Sequence, residues 1–179
     1  MIKLGALLLM VMVSLNSSAQ IADNFTRLKL KGFPGCALKV LNKYPGRILT
    51  VEAERTKRPG PKLELFYEFD IKLKQDGRVV EIECDPNSLK LSDFEEQVGL
   101  KDERFSERAL ISLEKAKFIL REKTKGMIVE YETSLQDGRP VYEFDVFESD
   151  VGIEVEYEID AETGLFLESE IELFEIGNP

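Results

Sequence analysis

The tetrapeptide Tyr67-Glu68-Phe69-Asp70 recurs unchanged as Tyr142-Glu143-Phe144-Asp145, and the flanking segments repeat with it. Downstream, Val80-Glu81-Ile82-Glu83-Cys84-Asp85 aligns with Val155-Glu156-Tyr157-Glu158-Ile159-Asp160, hydrophobic over hydrophobic and acid over acid. Upstream, Gly46-Arg47-Ile48-Leu49 aligns with Gly126-Met127-Ile128-Val129. The offset drops from 80 to 75 between these blocks, so the first copy carries five extra residues, which fall within 55–62. A repeat of this length predicts two copies of one supersecondary unit.

Each unit should open with a helix. In the second copy Ser106 is placed to cap a helix in which Ala109, Leu110, Leu113, Ala116 and Leu120 recur at helical spacing up to Gly126. In the first, Pro34 is tolerated only in a first turn, so that helix starts near Pro34, ends before Pro45-Gly46 and is the shorter of the two. Three alternating segments follow in each copy. Their apolar positions are Leu49/Val51/Ala53, Leu65/Tyr67/Phe69/Ile71 and Val80/Ile82/Cys84, then Val129/Tyr131/Thr133, Tyr142/Phe144/Val146 and Val155/Tyr157/Ile159. Alternation of period two predicts antiparallel strands with one face under a helix. Gln75-Asp76-Gly77 and Gln136-Asp137-Gly138 read as hairpin turns in which Asp-Gly supplies positive φ. Residues 165–176 continue the alternation, and Ser92-x-x-Glu95 reads as a capping box opening a short connector helix. The expected fold class is α+β, two tandem units of a helix plus a three- or four-stranded antiparallel sheet: repeat 1 over 20–91, a connector over 92–105 and repeat 2 over 106–179.

Residues 1–19 read as a secretory signal peptide, with Lys3, an apolar run over 4–15 too short to span a bilayer, and Ser17-Ser18-Ala19 before the cleavage point. The mature chain is thus expected to be soluble, periplasmic or secreted and without a membrane anchor, and the short signal suits a bacterium. A net charge of −10 disfavours nucleic acid and anionic membranes as partners. The chain has no histidine, which removes Ser-His-Asp and Cys-His nucleophiles and the histidine zinc sites. No phosphate loop, calcium loop or C-x-x-C is present. The expectation is a protein that is not an enzyme and carries no cofactor.

The second copy resembles the PepSY domain through Ala109, the Val141-Tyr142-Glu143-Phe144-Asp145-Val146 strand and the closing Asp160-x-x-Thr163-Gly164. The first copy keeps Tyr67-Glu68 and Asp85 but has Ser88-Leu89 where Thr-Gly should fall. The resemblance implies a non-catalytic module that binds or restrains another protein, peptidases being the class proposed for the family. Since no peptidase follows in this chain, the target would be a separate envelope or secreted protein, or the inhibitory role has been lost.

Three features each carry two readings. Glu52, Glu54, Glu68, Asp70, Glu81 and Glu83, with Glu130, Glu132, Glu143, Asp145, Glu156 and Glu158, form the sheet faces opposite the apolar ones. They are either a solvated face that blocks sheet aggregation or a docking surface for a basic partner or a divalent cation. Arg55, Lys57, Arg58 and Lys62 sit in the extra loop, which is either a stiff exposed hairpin loop or a partner contact. Cys36 and Cys84 align with core-facing Ala116 and Ile159, so they should meet between helix and sheet. In an oxidising compartment such a pair forms a disulfide, the alternative being two buried thiols. Two functions follow: an exported non-catalytic module regulating an envelope protein such as a peptidase, or a small-ligand or cation-sensing protein using the acidic faces.

Overall fold

A computed structural model describes residues 32–56 and 65–177. The signal segment, and Lys57, Arg58 and Lys62 of the basic loop, lie outside the described residues. The elements run α1 (Phe33–Lys43), β1 (Gly46–Thr56), β2 (Leu65–Leu73), β3 (Val79–Cys84), β4 (Leu91–Gln97), α2 (Glu103–Ser106), α3 (Leu113–Arg121), β5 (Met127–Gln136), β6 (Arg139–Glu148), β7 (Ile153–Asp160) and β8 (Phe166–Gly177).

The expectation of two separate helix-plus-sheet units is overturned. Every strand pairs antiparallel with its sequence neighbour, β4 pairs with β5, and β1 pairs with β8, which closes one eight-stranded barrel. The reason lies in the segment taken for a connector. Ser92 and Glu95 sit in β4 rather than in a capping box, and β4 carries the first half of the sheet directly into the second. The helix that follows is only one turn long, capped by the Asp102 side chain.

Irregularities in the pairing nonetheless recur at corresponding positions of the two halves. β1/β2 is interrupted between Ile48 and Thr50, and β5/β6 between Ile128 and Glu130, at equivalent positions. The β3/β4 and β7/β8 pairs are likewise interrupted just after Ile82 and Tyr157. These bulges displace Leu49 and Val129 from the apolar faces assigned to them, and Val129 is exposed. The turns that close β3 and β7 share their bonds. Asp85 Oδ1 accepts from the amides of Asn87 and Ser88, as Asp160 Oδ1 does from Glu162 and Thr163.

The helices pack on the outside of the barrel. From α1, Cys36 and Val40 are buried where the helix packs on β2 and β3, whose Tyr67, Phe69, Ile71, Val80 and Ile82 are buried as well. Phe33 meets the Tyr67 ring edge-on at 5.7 Å. From α3, Ala116 and Leu120 bury against Tyr142, Phe144, Val146 and Ile159. The second helix is shorter than expected. Ser112, not Ser106, caps it by accepting from Lys115, so its 9 residues fall short of the 11 of α1. Ala109 and Leu110 lie before it, and Leu110 is 79% exposed. The second hairpin turn has positive φ at both Asp137 and Gly138, whereas the first uses only Gly77.

Cys36 and Cys84 form a disulfide between α1 and β3 with Cα atoms 5.8 Å apart. It closes a loop of 48 residues, worth about 4 kcal/mol by the chain-entropy relation.

Candidate functional site: a barrel interior lined by carboxylates

With helices covering the apolar outer face, the alternation of every strand turns its acids inward. The acidic faces are therefore not a solvated or docking surface but the lining of the barrel. They enclose a cavity of about 100 Å³ lined by Glu52, Glu68, Asp70, Glu81, Glu130, Glu132, Glu143, Asp145 and Glu156 among others. The sequence reading overlooked Gln97 from β4 and Glu172 and Glu175 from β8, together with Glu154, all of which face this cavity. The alternation of 165–176 was visible, but the irregularity between Ala53 and Glu54 in the β1/β8 pairing shifts its phase at Leu173. Among the described residues the lining contains no lysine or arginine.

Burial and mutual repulsion act in one direction on these groups. Burial, reinforced by neighbouring carboxylates, pushes Glu52 and Glu158 up to about 9. Glu83 rises to about 9 in the same way. Glu132 and Asp145 rise to about 7, and burial takes Asp70 to about 6. Glu54, Glu68, Glu81, Glu143 and Glu156 are raised well above the ordinary carboxylate value for the same reasons. Asp76, Asp85, Glu96 and Asp102, outside the barrel, behave oppositely. Burial alone would raise Glu96, but hydrogen bonds from Arg104 (2.7 Å) and Arg78 (2.5 Å) outweigh it and hold the carboxyl below its usual value.

Two groups of carboxylates come close enough to share an ion: Glu54, Glu68 and Glu170, and Glu81, Glu95 and Glu143, each with ligand oxygens within 4.8 Å of one another. Raised carboxyls of this kind can hold protons or cations. Of the basic set, Arg55 lies in β1 opposite Leu65 and is not part of the lining.

Residues 110–170 match the family model of PepSY, the peptidase propeptide and YPEB domain. PepSY domains are generally non-catalytic propeptide or regulatory modules, typically found in extracellular or periplasmic proteins. The matched span runs from just before α3 to the middle of β8 and includes the Tyr142–Asp145 motif and the Asp160–Gly164 turn. No curated protein and no solved structure matches the chain. Among the described residues no helix is long and apolar enough to cross a membrane.

Proposed function

We propose that this chain is an exported, non-catalytic binding module, built from a PepSY unit over 106–179 and a diverged second unit before it, that restrains a separate envelope protein of the peptidase class. The observation that carries this reading is the family match over 110–170. With the acids facing inward, a protein partner meets the outer surface. There Phe118 on α3 is 56% exposed with Lys115 above its ring at 4.7 Å, and Tyr131 is half-exposed beneath Lys117. Affinity capture with the full exported chain from a bacterial envelope extract, followed by a cleavage assay with the captured peptidase, tests it. The expected result is one stoichiometric partner whose activity falls on adding the chain. A captured peptidase that is not slowed counts against restraint, and no captured protein counts against a binding module. Neutralising Arg55, Lys57, Arg58 and Lys62 should lower capture without unfolding the barrel, and unchanged capture would discard the loop as a contact.

A second reading, a small-ligand or divalent-cation-binding protein, is favoured by one specific observation, the enclosure of so many carboxylates in a single lumen. The two readings are compatible, since the partner surface is outside and the acids are inside.

A further inference from the structure

We propose that the barrel holds one divalent cation of the calcium class at the seam between β1 and β8, ligated by Glu54, Glu68 and Glu170. This assignment rests on the cation-binding reading above and gives it an address. Ligand oxygens within 4.8 Å of one another suit a single ion, because that separation is twice a calcium–oxygen distance of about 2.4 Å. The donor set is all oxygen, with no imidazole or thiolate, which favours a hard cation over a transition metal.

A cluster of acids is common without an ion, and what distinguishes this one is Glu54. Its side chain is 0% exposed, and neither carboxylate oxygen receives a hydrogen bond. The neighbouring group is the Glu170 carboxyl, which can pair with Glu54 only when one of the two carries a proton. A buried carboxylate without a donor is costly to keep unless a cation or a proton supplies the missing partner.

The opposite seam of the barrel displays the alternative. Glu54 faces Glu172 across β1/β8 as Ser134 faces Gln97 across β4/β5, and Thr56 faces Glu170 as Gln136 faces Glu95. Glu68 corresponds likewise to Glu143 in the repeated tetrapeptide. The two seams therefore have one register, with Ser134 standing where Glu54 stands. Ser134 Oγ is hydrogen-bonded to Glu143 and, at 2.7 Å, to Glu95, while Gln136 Nε2 donates to Glu95 at 2.6 Å. Glu81 completes that group with one oxygen unpartnered. At the second seam, then, side-chain donors tie the carboxylates together. At the first, the serine's place is taken by a third carboxylate, which adds acceptors and removes a donor. With no lysine or arginine lining the lumen among the described residues, a bound cation is the partner that this substitution calls for. The cavity beside Glu68 leaves room for the waters that complete a calcium shell.

The test uses the full exported chain, freed of metal with a chelator and dialysed to equilibrium against calcium chloride in mildly alkaline buffer. Melting curves are recorded in calcium chloride and in sodium chloride of equal ionic strength. Wild type should retain one calcium per chain and melt higher in calcium than in sodium. Glu54→Ser, which copies the second seam, should bind calcium about tenfold more weakly or worse. It should also lose the calcium-specific melting shift. If circular dichroism shows that Glu54→Ser does not fold, Glu68→Gln takes its place with the same two readouts. Calcium retained equally by a folded variant overturns the site while leaving the cation reading standing. No calcium retained by wild type overturns both.

Discussion

Leu89 holds, at φ 57°, the left-handed turn position that Gly164 holds at φ 75° in the other half of the barrel. Their hydrogen bonds coincide, since the amide of each reaches the carbonyl of the preceding aspartate, Asp85 or Asp160, at 2.8 Å. The packing is exchanged between the halves. The Leu89 side chain lies over Gly35 of α1, whereas in the second half Ile119 of α3 lies over Gly164. Gly164→Ala should destabilise the fold by about 1–2 kcal/mol, because an L-residue there takes on left-handed strain. The new Cβ would also stand 3.0 Å from Ile119 Cδ1. Urea denaturation measures it, and a change near zero would show that the turn relaxes.

The pH dependence without divalent cations should run opposite to that of most acidic proteins. Among the lumen carboxyls, Asp70 is raised to about 6 and Glu52 to about 9, above their unfolded values near 4. The folded chain therefore binds protons more tightly than the unfolded one. The stability this contributes is complete below the unfolded values and is lost as pH rises through about 6 to 9. Glu96 and Asp85, whose values are lowered, contribute in the opposite sense and lose their part in acid. The denaturation midpoint should peak in mild acid and fall between neutral and alkaline pH. A midpoint that is flat or rises over that window would mean that the interior acids are freely hydrated.

Reducing the disulfide should lower stability by about 4 kcal/mol, from the loop of 48 residues that it closes. The loss falls on α1, whose packing onto β2 and β3 is tied through Cys36. Denaturation with and without reductant gives the difference, and thiol counting on unreduced, unfolded chain should find none free. Two titratable thiols in exported material would contradict it.

Ser134→Ala removes the hydroxyl shared by Glu95 and Glu143. Leaving two buried carboxyls short of a partner should cost about 1–3 kcal/mol. The loss should be larger in alkaline than in acid solution, because a protonated carboxyl can replace the missing donor. A loss independent of pH would place the cost in packing instead.

α1 and the strands β1–β3 and β5–β8 were legible in the sequence, because the strands alternate between bulges and α1 is framed by Pro34 and Pro45-Gly46. The disulfide was legible because the repeat placed both cysteines on core positions. Closure of the barrel was not, since alternation reports that a strand has two unlike faces without saying which one looks inward. A face as acidic as Glu52, Glu68 and Asp70 suggests water, and only the pairing of β4 with β5 and β1 with β8 reverses that. β4 itself was hidden by Ser92 and Glu95, whose spacing imitates a capping box.

The equal register of the two seams has a consequence for assembly. Each half of the barrel offers one free edge on its first strand and one on its last, and the edges of one half fit the other at either seam. A half from one molecule can thus complete the barrel of a second, so refolding at high concentration invites an exchanged dimer. The same contacts would be made in it as in the monomer, with the chain crossing from one barrel to the next between β4 and β5. Dilution, rather than a change of sequence, would select between the two forms.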